Sequence, residues 1–230
     1  MNDIFASSAT IGVVISLLAY EIGAFLRKKT KKTFMNPLLI SIVLVIVFLL
    51  VFDIEYENYN RSAQYISYLL TPATVSLAIP LYRQIELLKK NIWAILIGIS
   101  SGVLTSLVCV LLLSLIFGLS HAEYVTLLPK SITAAIGMVV SEELGGYATI
   151  TVAIIAVTGI LGNMVAESVC KFIRIKSPIA RGLAIGTSSH AAGTSKAMEM
   201  GQIEGAMSSL AIVIAGLLTV VLAPIFSMFY

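Results

Sequence analysis

Charged residues, histidine and cysteine are all scarce in this chain. Only 12% of its 230 residues are charged, and it has two cysteines and two histidines. Cys109 and Cys170 lie on separate apolar stretches with no histidine at a metal-ligand spacing, so we expect inert thiols and no metal site. The shortage of charge, with a hydrophobic share of 58%, excludes a soluble domain and predicts an integral membrane protein.

Catalytic motifs are missing as well. Neither His121 nor His190 belongs to a nucleophile-elbow, metal-ligand or phosphate-loop pattern. The basic residues cluster in short loops, at residues 27–32 and at Lys89 with Lys90, which is typical of cytoplasmic membrane loops rather than of a nucleic-acid surface. We therefore expect no enzyme activity, no cofactor and no nucleic-acid partner.

Long apolar runs dominate what the chain does contain. Five of them are nearly free of charge: Ile4 to Leu26, Pro37 to Phe52, Ile92 to Gly118, Gly146 to Ala166 and Gly205 to Tyr230. At about 20 residues per crossing, each predicts a transmembrane helix, the second being the shortest, and the first is too long for a signal-peptide core.

Three weaker segments each precede a clear span. They are Tyr65 to Tyr82, Val125 to Leu144 and Ile179 to Met200, and they contain prolines, charges or small polar residues. With the five runs they predict an all-α integral membrane protein of about eight helical segments, lying in the lipid bilayer.

The chain also resembles itself at an offset of 57 residues. The segment Pro72–Ile79 aligns with Pro129–Ile136 as P-x-[TS]-[VI]-[ST]-x-A-I, and His190 falls opposite Thr133 on the same grid. Chance matching of small and apolar residues is the alternative to a true repeat. The repeat interpretation predicts one domain, residues 1–230, with units at about 65–118, 122–172 and 178–230, each an interrupted helix followed by a regular one.

Helix interruptions are expected around Pro72, Pro129 and Gly186. The third lies in Gly186–Lys196, a run of small polar residues that can sit at membrane depth only inside protein or beside a water-filled cavity. A break leaves backbone N–H and C=O groups without helical partners, and a helix N-terminus favours carboxylates. Two breaks that meet near the midplane would therefore form a small-anion site.

The candidate site residues come from the second and third interruptions. Those expected to bind substrate are Lys130, Ser131, Thr133, Ser188, Ser189, His190, Gly193 and Thr194. His190, Glu142 and Glu143 are candidates for proton coupling. The alternatives are a helix-packing histidine, a lysine that reaches the interface, a solvated glutamate pair and hydroxyls that only pack helices.

Several blocks resemble the LrgB/CidB family of bacterial membrane proteins, which is related to the second half of the plastid glycolate/glycerate translocator. The blocks are Leu127–Ile136, Val140–Gly146, Thr158–Gly162 and Ala180–Ala197, and together they indicate a match over nearly the whole chain. The Pro-Lys-Ser-Ile-Thr segment and Ser189–Ala197 lean toward the CidB-like, holin-like branch.

The resemblance implies a multi-pass protein of the bacterial plasma membrane and two possible functions. Family members are described as holin-like or antiholin-like regulators of murein hydrolase activity and cell lysis, acting beside a small LrgA/CidA-type membrane protein. Others are associated with transport of glycolate, glycerate or pyruvate. A lesion-forming holin needs no discrete polar site, whereas a carrier needs interrupted helices.

We therefore favour a carrier, or carrier subunit, for small monocarboxylates and keep the lysis regulator as the alternative. A structural subunit that is completed by the LrgA/CidA-type partner is a third possibility, and an oligomer is expected.

The membrane topology stays open at this point. If all three weak segments cross fully, the basic residues between Lys171 and Arg181 lie outside the cell. If the segments around Pro129 and Gly186 are re-entrant, those residues return to the cytoplasm, and the last two units have opposite orientations, as in inverted-repeat carriers.

Overall fold

The computed structural model describes residue 8 and residues 10–30 and 35–230. The beginning of the first predicted span, and Lys31 and Lys32 of the basic cluster, lie outside the described residues. Every regular element in the described part is helical, which confirms the all-α prediction. The chain divides into two compact units, Met1–Ser76 and Leu77–Tyr230, which we describe separately.

The first unit consists of two longer helices and several short ones. They are α1 (Ile11–Thr30), α2 (Pro37–Val51), α3 (Tyr56–Ala63), a 3-10 turn (Gln64–Leu69) and α4 (Leu70–Ser76). The Asn36 side chain caps α2 by accepting from the Leu38 backbone N–H at 2.8 Å, ahead of Pro37 at the first helical position. Pro72 lies in the first turn of α4, where the missing N–H is tolerated.

The second unit contains the remaining helices. They are α5 (Ala78–Arg83), α6 (Ile85–Lys90), α7 (Ile92–Phe117), α8 (His121–Leu127), α9 (Ala134–Glu143), α10 (Ala148–Phe172), α11 (Pro178–Met200) and α12 (Gln202–Ser227). By length and composition, α7, α10, α12 and the run Tyr56–Arg83 qualify as membrane spans in the described part, and α2 is a shorter apolar helix. The long helices of 25 or 26 residues exceed the roughly 20 residues that a bilayer requires.

Helices α8 and α9 form a hairpin. A turn at residues 128–133 joins them, held by backbone hydrogen bonds from Lys130 N–H to Leu127 O at 3.1 Å and from Ile132 N–H to Pro129 O at 3.3 Å. Thr151 Oγ1 of α10 lies 3.0 Å from Thr126 O and 2.7 Å from Ser141 Oγ, so one residue touches both legs. The hairpin therefore returns to the end of the unit at which it began.

Helix α11 is a second hairpin. His190 has φ 41° and ψ −140°, which divides the helix into residues 178–189 and 191–200. Residues eight positions apart in a straight helix are separated by about 12 Å. A Cβ built at Gly193 would nevertheless lie 3.2 Å from Ile185 O, so the two legs run back side by side. The break falls at His190, four residues beyond Gly186.

The two hairpins point in opposite directions. At the start of the first, the Tyr124 hydroxyl donates to Phe226 O at 2.8 Å, near the end of α12. The second hairpin begins after the end of α10 and ends before the start of α12. There, Arg181 Nη1 lies 3.5 Å from Glu204 Oε1. A hairpin followed by a long helix thus occurs twice with inverted direction. The internal repeat, its boundaries and the re-entrant position of the two hairpins in the membrane stay predictions.

Close packing fixes the second hairpin against α12. A Cβ at Gly182 would lie 2.7 Å from Met207 Cβ, and one at Gly186 would lie 2.8 Å from Ala211 Cβ. Small residues four positions apart let membrane helices approach in this way. On α7, a buried face repeats every four residues and joins α12 in one apolar core: Ile95, Ile99, Val103 and Leu107.

Candidate functional site

A cavity of about 740 Å³ lies in the second unit, between α7, the tip of the first hairpin and the first leg of the second. Seven hydroxyl side chains line it: Ser101, Thr105, Ser106, Ser131, Ser177, Thr187 and Ser188. Lys130 is the one cationic residue of the lining, and none of the described residues that line it is acidic. This composition suits a small anion with more than one polar group.

Lys130 stands at the tip of the first hairpin. Its Nζ donates to Ser131 Oγ at 3.0 Å, and Ser131 Oγ lies 3.2 Å from Ser106 Oγ on α7. Within the described part of the chain, the ion pairs involve other lysines and arginines, and none includes Lys130. An ammonium group that is partly removed from water and has no carboxylate partner favours a bound anion.

His190 lies behind the cavity lining rather than in it. His190 is 8% exposed, and its Nε2 lies 2.9 Å from Ile155 O on α10. A Cβ at Gly159 would lie 2.6 Å from His190 Nε2, so this glycine makes room for the ring. The positive φ of His190 is uncommon for a residue other than glycine and marks local strain, which often accompanies a functional turn.

The other predicted residues divide into lining and support. Lys130, Ser131 and Ser188 line the cavity together. Thr194 Oγ1 donates to His190 O at 2.9 Å and meets Ser208 Oγ of α12 at 2.7 Å, so it braces the tip. Three predicted residues do not line the cavity. Thr133 precedes α9, Ser189 packs on Gly162, and Gly193 packs on Ile185.

Glu142 and Glu143 lie away from the cavity. Both are exposed at the end of α9, where the first hairpin returns to its own end of the unit. Their position matches a solvated helix end. Proton coupling by these residues or by His190 stays a prediction.

Sequence reasoning missed the contribution of α7 and of Thr187. Ser101, Thr105 and Cys109 follow one another at four-residue spacing along α7 and all line the cavity. Polar and small residues at this spacing on an otherwise apolar span form one helical face, and that pattern was the available signal.

A charged cluster joins the open ends of the second hairpin to α10. Lys196 Nζ lies 3.0 Å from Glu167 Oε2 and 3.4 Å from Glu199 Oε2, and the Lys196 side chain is 13% exposed. Nearer the tip, Asn163 Nδ2 donates to Ala192 O at 2.7 Å. These contacts hold the second leg on α10. Among the described residues, no group of three or more histidine, cysteine or acidic side chains could hold a metal ion.

The chain is similar to a described family and to curated bacterial proteins. A family model, the LrgB-like family, matches residues 16–229. Proteins named "Antiholin-like protein LrgB" from Bacillus mycoides (strain KBAB4), Bacillus cereus (strain B4264) and Bacillus anthracis (strain CDC 684 / NRRL 3495) are 41% identical over 219 residues, 95% of this chain and 95% of theirs. No solved structure matches. The leaning toward the CidB-like branch stays a prediction.

Proposed function

Since this chain belongs to the LrgB-like family, we propose that it is an antiholin-like membrane protein that restrains cell lysis together with a small LrgA/CidA-type partner. The observation that carries the proposal is the 41% identity, over 95% of both chains, to proteins named antiholin-like LrgB. The apolar helices of the chain support its place in the bacterial membrane as a multi-pass protein.

Lysis kinetics test this proposal. In a bacterial strain without its own copy, expression of the full chain with the partner should slow the release of a cytosolic enzyme after membrane depolarisation. Expression of either protein alone should protect less. Leakage of dye or large solutes on expression would instead indicate a holin-like lesion, and unchanged lysis would contradict the regulator.

The cavity supports a second candidate function, a carrier or carrier subunit for small monocarboxylates of the glycolate, glycerate or pyruvate class. The observation that favours it is that both hairpins contribute to one cavity, with Lys130 and Ser131 from the first and Ser188 from the second. Oppositely directed broken helices that meet around a solute site are typical of secondary transporters. Among the described residues, the lining has one cation and no carboxylate, which supports a monoanion rather than a cation or a zwitterion.

Orientation in the membrane follows from the charges near the helix ends. Lys89 and Lys90 precede α7, Lys171 lies in the last turn of α10, and Arg174 and Lys176 follow it before α11. Asn91 at the start of α7 and Ser177 at the start of α11 line the same cavity, so these charges share one end of the second unit. The positive-inside rule favours the cytoplasm for this end. The second hairpin would then enter from the cytoplasm and the first from outside, which gives each side of the membrane one hairpin as a gate.

Transport measurements separate the two functions. Purified chain in proteoliposomes should take up labelled glycolate or pyruvate while retaining a trapped dye, and Lys130→Gln, Ser131→Ala and His190→Ala should lower uptake. Ser227→Ala is the matched control, because Ser227 bonds to Pro224 O at the far end of α12. Wild-type uptake in all three site variants would contradict the carrier. Uptake only in the presence of the partner would identify a structural subunit.

A further inference from the structure

A second cavity, of about 260 Å³, separates α10 from α11 at the open ends of the second hairpin. Its lining is mostly charged, with Glu167 and Lys171 from α10 and Arg181, Lys196 and Glu199 from the two legs of α11. We call this cavity the charged gap. Of the described residues, none lines both the charged gap and the larger cavity, so the two are separate features of the second unit.

The same two helices are in close contact at the tip of the hairpin. A Cβ at Gly159 of α10 would lie 2.9 Å from Ala192 Cβ, and one at Gly162 would overlap the Ser189 side chain. One turn further along α10, Ala166 still packs in an apolar cluster with α11. Small residues allow this approach, whereas the side chains around the charged gap are long and flexible. The two helices are therefore packed at the tip and only bridged at the open end.

Among the described residues, one ion pair crosses the charged gap. Lys196 Nζ of α11 lies 3.0 Å from Glu167 Oε2 of α10. Lys171 also contacts Glu167, and Lys196 also contacts Glu199, but each of these two pairs lies within a single helix. The pair of Lys196 with Glu167 is therefore the ionic link between α10 and α11 at this end.

Both legs of the hairpin are also held on α12. On the first leg, Arg181 Nη1 lies 3.5 Å from Glu204 Oε1, next to the close contact of Gly182 with α12. On the second leg, Thr194 Oγ1 lies 2.7 Å from Ser208 Oγ. The hairpin and α12 thus form one packed body, and α10 is the neighbour from which this body can separate at the charged gap.

We propose that the charged gap is a salt-sensitive latch. The pair of Lys196 with Glu167 holds it closed, and when that pair breaks, α10 and α11 part at this end while their contact at the tip stays. The side chains of Lys196 and Glu167 are 13% and 39% exposed, so solvent reaches the pair, and dissolved ions screen such a pair more than a fully buried one. The latch acts in the same way whichever of the two proposed functions the chain performs.

Cys170 reports directly whether the latch is open. It lines the charged gap and is 5% exposed, and when Cys109 is replaced by alanine it is the one thiol of the chain. A neutral methanethiosulfonate should modify it slowly in the purified full chain, because the thiol is reached only when the gap opens. Lys196→Gln should speed this reaction about tenfold, and Glu167→Gln should act in the same direction.

A matched lysine and added salt make the result specific. Lys171→Gln is the control, because Lys171 contacts the same carboxylate at 2.8 Å without crossing the gap, and it should leave the rate near that of wild type. Raising the salt from about 0.01 M to about 1 M shortens the screening length from about 30 Å to about 3 Å. This change should speed the reaction of Cys170 severalfold with Lys196 present and hardly at all in Lys196→Gln. The neutral reagent keeps salt from acting on its own approach.

The opening must also be local. With both native cysteines replaced by alanine, Val110→Cys places a thiol at a position of α7 that is 4% exposed, and it should stay unreactive when Lys196→Gln is added. Parallel gains in reactivity at positions 110 and 170 would show general loosening and overturn the latch. An unchanged rate at Cys170 in Lys196→Gln, or equal effects of Lys196→Gln and Lys171→Gln, would overturn it as well.

Discussion

The imidazole Nε2 of His190 lies 2.9 Å from the carbonyl oxygen of Ile155, and this contact fixes the tip of the second hairpin on α10. The same residue makes the turn, with φ at 41°. The ring thus anchors a backbone conformation that its own Cβ disfavours. Strain of this kind costs about 1–3 kcal/mol and persists only where surrounding contacts enforce it.

Replacement of His190 by glycine and by alanine should separate the cost of its positive φ from the contribution of its bond to Ile155 O. Both His190→Gly and His190→Ala lose the bond to Ile155, but only glycine adopts a positive φ without strain. His190→Gly should therefore be more stable than His190→Ala by about 1 kcal/mol, measured by thermal unfolding in detergent.

Ser195 supplies the control for that order. It is exposed on the regular second leg of the same hairpin, so there the alanine variant should be the more stable of the pair. If alanine were also preferred at position 190, the turn would not have the positive φ observed.

A methyl group at Gly159 should disturb the hairpin tip. A Cβ there would lie 2.5 Å from His190 Cε1, and overpacking of this kind costs about 1–3 kcal/mol. Gly159→Ala should lower the melting temperature and reduce solute uptake together. Gly216→Ala on α12 is the control, because its Cβ would meet Ile136 Cδ1 at an ordinary 3.6 Å. Equal effects of the two changes would argue against tight packing of the tip.

The location of this tip shows where sequence reasoning stops. The apolar runs gave α7, α10 and α12 to within a few residues, because hydropathy over a span is a property of the sequence itself. The break was expected near Gly186, yet that glycine serves close packing against Ala211 and Ser208. A sequence does not distinguish a glycine needed for helix approach from one needed for a turn.

The candidate site was predictable only in part for a related reason. Lys130, Ser131 and Ser188 belong to conspicuous polar segments and do line the cavity. Ser106 was missed because hydroxyls in membrane helices usually bond to their own backbone, and Thr187 was missed although it belongs to the same polar run as Ser188. Both residues come to line the cavity only because α7, the first hairpin and the first leg of the second hairpin pack together.

The Lys196 ion pair should contribute more to stability than its exposed neighbour. Lys196 Nζ, on a side chain only 13% exposed, lies 3.0 Å from Glu167, whereas Lys171, which is 74% exposed, contacts the same carboxylate at 2.8 Å. Lys196→Gln should cost about 1.5–3 kcal/mol of unfolding free energy. Lys171→Gln should cost no more than about 1 kcal/mol.

A double-mutant cycle checks this assignment. If Lys196 acts through Glu167, the combined Lys196→Gln and Glu167→Gln variant should lose less stability than the sum of the single changes. Strict additivity would show that the contact contributes nothing. Loss of the pair should also increase hydrogen exchange in residues 191–200, since it holds this leg on α10.

Acidification should weaken the capping box that begins α8. The backbone N–H of Ser120 and then its hydroxyl donate to Glu123 Oε2, each at 2.7 Å, and they hold the pKa of Glu123 below its ordinary value of 4.5. Because the pKa of Glu123 is lower in the folded state, the stabilisation is complete above pH 4.5. It is lost as the pH falls through the pKa of the folded state.

The variant Glu123→Gln isolates this contribution, because glutamine keeps a side-chain acceptor without the charge. Wild type should melt higher than the variant at neutral pH, and the difference should shrink toward zero below pH 4.5. A difference that is independent of pH would contradict an ionised Glu123 in the cap.

The thiol of Cys109 is a chemical reporter for the cavity. It is exposed and lines the cavity, whereas Cys170 is buried, so Cys170→Ala leaves one reporter thiol. Because Lys130 is the cation of the same lining, a negatively charged methanethiosulfonate should modify Cys109 faster than a positively charged one, and added glycolate should slow the reaction. Lys130→Gln should reduce both the charge preference and the protection, while Ser227→Ala should leave them unchanged. Equal rates for the two reagents in wild type, with no protection by glycolate, would mean that the cavity does not attract anions. The carrier would then lose its support, and the antiholin-like function would stand alone.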